Sequence, residues 1–188
     1  ICGINPTEGT LRVVYRVAGE GTKEFSEMKA GDTLEVMGLL GNGFTMKNEK
    51  AIIIGGGIGI PPMLELAKQL DAEKTVVLGY RTSTFLKEEF EEVCDVKIAT
   101  EDGSQGAKGT VIDAIEKYGV EGKVIYACGP MPMLKALAAY AEEHGMEAQI
   151  SLEERMACGI GACLGCICKS KTKDHHTNVN NTRICKDG

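Results

Sequence analysis

The chain has 188 residues, of which 43% are hydrophobic, enough for one sizeable core or two small ones. A formal net charge of −6 without any long basic run argues against nucleic acid or an anionic membrane as the main partner. The longest apolar stretch, 51–64, is broken by glycines and two prolines and is too short to span a bilayer.

No charged segment followed by an apolar one opens the chain, so a reducing, cytoplasmic setting is expected. The chain starts at Ile1-Cys2-Gly3 and stops three residues after Cys185, and both ends read as cut. It is therefore expected to be a piece of a longer subunit.

Residues 1–46 read as β structure. Leu11–Ala18 is rich in β-formers with partial alternation, and Thr33–Met37 forms a second short candidate strand after the turn Ala30–Asp32. Gly19–Thr22 and Gly38–Gly43 read as connections. On pattern alone, Tyr15 is a strand tyrosine and Arg16 a solvated arginine.

From Glu49 the texture changes. Ala51–Ile54 has the look of a buried parallel strand, and it runs into Gly55–Gly59 and a helical pattern over Pro61–Leu70. Strand, glycine loop and helix N-terminus make an anion site, because unpaired N–H groups and the helix dipole both favour phosphate. The dinucleotide fingerprint G-x-G-x-x-G is not met, since Ile60 stands at its last position.

Strands and helices then alternate. Strands are predicted over Thr75–Leu78, Val96–Ala99, Lys123–Ala127 and Glu147–Ser151, and helices over Thr84–Val93, Thr110–Tyr118 and Met131–His144. This order implies a doubly wound parallel sheet with its ligand at the carboxyl ends of the strands. Those ends carry Gly55–Gly59, Gly79–Arg81, Thr100–Gly103 and Cys128–Pro130.

The last segment carries the chain's most specific pattern. Cys158, Cys163 and Cys166 stand at C-x4-C-x2-C spacing, and Cys185 can complete a set of four thiolates. That is the spacing of a plant-type 2Fe-2S site. Gly159, Gly161 and Gly165 separate the sulfurs and let backbone N–H groups approach them. A structural zinc is the competing occupant, although only Cys163 and Cys166 form the short knuckle such sites use in pairs. Cys168 reads as a bystander, and His175 and His176 as solvated residues of a polar, mobile loop over 169–184.

These segments together resemble the electron-transfer subunit of type B dihydroorotate dehydrogenase, within the ferredoxin-NADP reductase superfamily. The resemblance rests on Glu153–Cys168 with Arg183–Gly188, on Ile52–Met63 and on Tyr126–Met131. It implies a partial antiparallel flavin-binding β-barrel over 1–47, a doubly wound α/β nicotinamide-binding domain over 48–151 and a 2Fe-2S loop domain over 152–188. It further implies FAD at Val14, Tyr15, Arg16, Gly21 and Thr22, with the family's Arg-Pro-x-Ser flavin motif lying just before Ile1. NAD is implied at Gly56, Gly57, Gly59, Cys128, Gly129 and Pro130, and the cluster at Cys158, Cys163, Cys166 and Cys185.

The expected partner is an FMN-containing dihydroorotate dehydrogenase catalytic subunit, in a heterotetramer serving pyrimidine biosynthesis. Electrons would pass from the partner's FMN through cluster and FAD to NAD+. No general acid or base is evident in this chain. Arg81 by itself would suit a 2′-phosphate and NADP, whereas the resemblance implies NAD. Two other readings stay open. One is the small subunit of a related flavin and iron–sulfur NADPH-ferredoxin oxidoreductase; the other is a zinc-stapled binding module without enzymatic activity.

Overall fold

The computed structural model of the chain describes residues 1–38, 40–171, 173 and 178–187. His175 and His176, predicted as solvated loop residues, lie outside the described residues. The chain divides into two compact units: 1–23 with 46–150, and 24–45 with 151–188.

The first unit is built on a six-stranded sheet. Its strands are β3 (Ala51–Gly56), β4 (Lys74–Tyr80), β5 (Asp95–Thr100), β6 (Ala107–Lys108), β7 (Val124–Cys128) and β8 (Glu147–Ser151), in the order β6-β5-β4-β3-β7-β8. β3 pairs in parallel with both β4 and β7, in the registers Ile53↔Val76 and Ile53↔Tyr126. Every residue of β3 is buried, as expected for a strand covered on both faces. Ile52, Ile53, Ile54, Leu78, Ile125 and Tyr126 form the centre of the core. Each such side chain stabilises the fold by about 1.5–3 kcal/mol relative to exposure.

The helices of this unit are set by their ends. A 3-10 turn over Gly57–Gly59 leads into α2 (Ile60–Gln69), where Pro61 takes a first-turn position whose missing N–H costs nothing. α3 is short (Lys87–Glu91), preceded by Leu86 at φ 60°, so the helix predicted over Thr84–Val93 is reduced to its middle. α4 (Val111–Tyr118) opens on a reciprocal cap between Thr110 and Asp113 and ends at Gly119 in the left-handed region. The hydrogen bonds from Thr110 hold the Asp113 carboxyl below its usual range. α5 (Met131–Glu143) follows Pro130 directly and buries Leu134, Leu137 and Ala141.

The N-terminal segment departs from expectation. β1 (Gly3–Asn5) and β2 (Thr10–Arg12) form one antiparallel hairpin, tied to the sheet unit by Arg12–Glu89 at 2.6 Å and by the Ile4 amide on Glu65. The strand predicted over Leu11–Ala18 stops at Arg12, and Thr33–Met37 is in no strand. A strand persists only where a neighbour takes its hydrogen bonds, and β1 reaches no further than residues 10–12. Gly19–Thr22, predicted as a connection, instead opens α1 (Glu20–Glu27).

In the second unit β9 (Ile167–Lys169) and β10 (Asn181–Arg183) pair antiparallel, followed by α6 (Ile184–Asp187). Cys166, Ile184 and Cys185 make its small buried core, with Leu152 and Cys168 packed against them.

Candidate functional site

The order of strands in the sheet reverses beside β3: β4 to β6 lie on one side, β7 and β8 on the other. At such a switch point the loops leaving adjacent strands diverge and open a crevice. Here the crevice is a cavity of about 420 Å³, lined by Gly56 at the end of β3, Gly57 after it, Arg81 after β4, Glu101 after β5, Thr110 at the start of α4 and Pro130 after β7.

The glycines around it have different duties. Gly57 has φ +54° and no atom within 4 Å of where a Cβ would stand, so its bareness leaves open space on the cavity wall. Gly59 is buried, and a Cβ there would lie 2.3 Å from the Cys128 carbonyl oxygen. Its bareness lets the β3–α2 turn pass against the end of β7. Gly56 lines the cavity, and its missing Cβ makes room for the Met133 sulfur. Of the residues predicted to bind nucleotide, Gly56, Gly57 and Pro130 line the cavity, while Gly59, Cys128 and Gly129 do not.

Sequence reasoning did not assign Glu101, Thr110 or Met133 to this cavity. The polar strand-end loop Thr100–Gly103 was the available signal for Glu101. For Thr110 the signal was its place at the start of a predicted helix, where N-terminal amides favour an anion.

Val14, Tyr15 and Arg16 follow β2; Val14 is half-buried, and Tyr15 and Arg16 are exposed. Gly21 lies in the first turn of α1 with nothing within 4 Å of a notional Cβ. The Thr22 hydroxyl accepts from the amides of Ala18 and Gly19 at 2.9 and 3.0 Å and donates to the Gly19 carbonyl. That bonding fixes the entry to α1.

The second unit gathers the cysteines. The excursion from Cys166 to Cys185 is folded back by the β9–β10 ladder, with Cys168 opposite Thr182, and this returns Cys185 to Cys166. The Ile184 amide donates to the Cys166 carbonyl at 3.2 Å. Arg183, 8% exposed, locks the return through Asp187, with Nε–Oδ2 at 3.0 Å and the Arg183 amide on Oδ2 at 2.9 Å. Residues 40–42 belong to the same unit: Asn42 Nδ2 donates to the Lys186 carbonyl at 2.8 Å, and a Cβ on Gly159 would stand 3.2 Å from Leu40.

Each of the four predicted ligand sulfurs accepts a backbone amide. Cys163 N reaches Cys158 Sγ at 3.4 Å, Gly165 N reaches Cys163 Sγ at 3.4 Å, Cys185 N reaches Cys166 Sγ at 3.4 Å and Gly161 N reaches Cys185 Sγ at 3.2 Å. Gly159 and Gly161 take φ values of +71° and +79°, a left-handed backbone form that glycine adopts without strain. Cys168 is different: its thiol donates to the Lys169 carbonyl.

Amide-to-sulfur bonds join Cys163 to Cys158 and Cys185 to Cys166, and among the described residues no three His, Cys, Asp or Glu side chains converge as ligands of one ion. The amide of Cys163, first among several donors, holds the Cys158 thiol down at about 6. The Cys185 amide lowers Cys166, while the hydrogen bond with the Cys166 side chain pushes Cys185 up. Amides aimed at sulfur stabilise thiolate, the form that binds iron or zinc.

Comparison with known proteins places these features. Residues 153–188 match the iron-sulfur cluster binding domain of dihydroorotate dehydrogenase B, and residues 53–139 match the oxidoreductase NAD-binding domain. The chain is 46% identical over 183 residues to the electron transfer subunit of dihydroorotate dehydrogenase B (NAD(+)) from Caldanaerobacter subterraneus subsp. tengcongensis, covering 96% of this chain and 73% of that one. It is 43% identical to the subunit of the same name from Fusobacterium nucleatum subsp. nucleatum, covering 100% of this chain and 74% of that one.

The chain belongs to this family of electron transfer subunits. Its fold is likewise similar to a solved NADH-dependent reduced ferredoxin-NADP oxidoreductase, described for flavin-based electron bifurcation, with a TM-score of 0.85 at 33% identity over 98% of this chain and 67% of that one. Membership makes the chain an oxidoreductase subunit whose part is electron transfer, and an electron transfer subunit implies a catalytic partner. Among the described residues no helix is long and apolar enough to cross a membrane.

Proposed function

We propose that Cys158, Cys163, Cys166 and Cys185 hold a 2Fe-2S cluster, that the cavity at the carboxyl edge of the sheet binds NAD, and that FAD is held from the segment 14–22. The observation that carries the cluster assignment is the amide donated to each of those four sulfurs and, among the described residues, to no sulfur of Cys168. N–H donors at cluster sulfurs favour thiolate ligation and tune the potential of the bound group. When bound, these groups supply a change of electron count, since a cluster passes single electrons, nicotinamide takes a hydride and a flavin can do both.

The chain's own residues do the holding. Gly57 leaves the backbone of the turn into α2 open to close approach by a pyrophosphate, although the first turn of α2 adds no amide of its own, since Ile60 N donates to the Gly57 carbonyl and Pro61 and Pro62 carry no N–H; Thr110 opens α4 on the same cavity. Pro130 and Met133 give the cavity an apolar wall on the β7 side, which suits a nicotinamide ring. Gly21 leaves the first turn of α1 open to close approach by a flavin phosphate, and Arg16, exposed, can pair with it. The domain limits we adopt are 1–47 for the flavin part, 48–151 for the nucleotide part and 152–188 for the cluster part.

In this reading dihydroorotate is oxidised in an FMN-containing partner subunit, NAD+ is the final acceptor, and the complex is a cytoplasmic heterotetramer. The test is iron analysis and visible absorption of cysteine variants of the complex. Cys185→Ser should lose most of the cluster, whereas Cys168→Ser should keep full iron and sulfide. Equal loss in the two variants, or zinc in place of iron in the unaltered protein, would overturn the assignment.

A further inference from the structure

The cavity wall farthest from Pro130 carries two opposite charges that the assignments above do not use. Arg81 follows β4 and Glu101 follows β5, on neighbouring parallel strands. Their two loops are stitched together: Glu101 N donates to the Tyr80 carbonyl at 3.1 Å, Asp102 N to the Arg81 carbonyl at 3.4 Å, and Ser104 Oγ to the Thr82 carbonyl at 3.3 Å. Thr100, fully buried, braces the turn from inside by accepting from Gln105 N and donating to the Gln105 carbonyl. Glu101 is thus carried on a fixed platform.

The two adjacent acids of this loop are not equivalent. Asp102 Oδ1 accepts from the Ser104 amide at 3.0 Å, a bond that caps the turn and keeps its carboxyl below the usual range. Asp102 therefore serves the loop. Glu101 is exposed, lines the cavity and, among the described residues, makes no ion pair or side-chain hydrogen bond, and neither does Arg81. Both side chains remain available to a ligand.

Charge logic then sets what ligand fits. A dinucleotide with its pyrophosphate at Gly57 and its nicotinamide toward Pro130 places its adenosine ribose toward the ends of β4 and β5. Arg81 alone would favour a 2′-phosphate there. A carboxylate on the neighbouring loop cancels that advantage, because it repels a phosphate and accepts hydrogen bonds from ribose hydroxyls. We infer that Glu101 selects NAD over NADP, by accepting hydrogen bonds from the adenosine ribose hydroxyls and repelling a 2′-phosphate. The inference rests on the reading of this cavity as a nucleotide site.

The test is titration calorimetry of the intact complex with ADP-ribose and with its 2′-phosphorylated form. The unaltered protein should bind ADP-ribose at least about tenfold more tightly, and Glu101→Gln should bring the two within about threefold. Glu101→Asp should retain the preference. The thermal midpoint should not move in Glu101→Gln, since the side chain has no partner in the fold. Binding of both ligands with a ratio unchanged in Glu101→Gln, or a preference for the phosphorylated form in the unaltered protein, overturns the role of Glu101 and leaves the nucleotide site standing. Failure of the unaltered protein to bind either ligand overturns the nucleotide reading itself.

Discussion

Replacing Gly59 with alanine separates a packing glycine from a binding one. A Cβ at Gly59 would stand 2.3 Å from the Cys128 oxygen, 2.4 Å from its carbonyl carbon and 2.6 Å from the Gly129 nitrogen. Comfortable separations are about 3.5 Å, so relief needs a backbone shift of roughly 1 Å between the β3–α2 turn and the end of β7. All three neighbours are backbone atoms, which cannot rotate away as a side chain would. Overpacking of this kind costs about 1–3 kcal/mol. At about 2–4 °C per kcal/mol for a domain of this size, the thermal midpoint should fall by roughly 2–12 °C.

Gly57→Asn is the matched control. Asparagine tolerates the left-handed backbone at φ +54°, and no atom lies within 4 Å of its Cβ, so the midpoint should stay within about 2 °C. Its side chain stands at the cavity wall instead, and nucleotide affinity should drop. Circular dichroism melts and calorimetry with NAD+ measure both effects. A Gly59→Ala protein that melts no lower than Gly57→Asn would refute the packing argument.

Two further outcomes are expected in the cluster unit. In metal-free protein, alkylation of Cys158 should be half-maximal near pH 6, while Cys94, which burial pushes up to about 11, stays unreactive until strongly alkaline pH. The depressed value of Cys158 also means that its contribution to stability is complete above its ordinary value of 9.0 and is lost as the pH falls through about 6. A Cys158 profile centred near 9 would contradict the amide donation to its sulfur. Asp187→Ala removes the charge-assisted bonds to Arg183 and should weaken the cluster unit by about 2–3 kcal/mol, read as faster iron loss in mild urea. An unchanged rate would mean that Arg183 does not hold the Cys185 return.

The sequence by itself determined whatever depends on local pattern. The alternation of apolar runs and amphipathic stretches from Ala51 to Ser151 was sufficient for the parallel sheet, because hydrophobic periodicity and glycine punctuation are properties of neighbouring residues. The C-x4-C-x2-C spacing was legible for the same reason, and so was the family.

Only the tertiary structure decided what depends on residues far apart. The strands predicted over Leu11–Ala18 and Thr33–Met37 shrank or vanished, because strand length is set by a partner that composition does not reveal. Gly57 and Gly59 look alike in sequence, and only the approach of Cys128 makes one a packing position and the other a cavity wall. Asp102 and Glu101 are adjacent acids, separated in role by one hydrogen bond to Ser104. The long excursion before Cys185 left its meeting with Cys166 open until the β9–β10 ladder closed it. In each case the deciding contact joins chain segments whose approach is fixed by packing, and packing is not written in spacing.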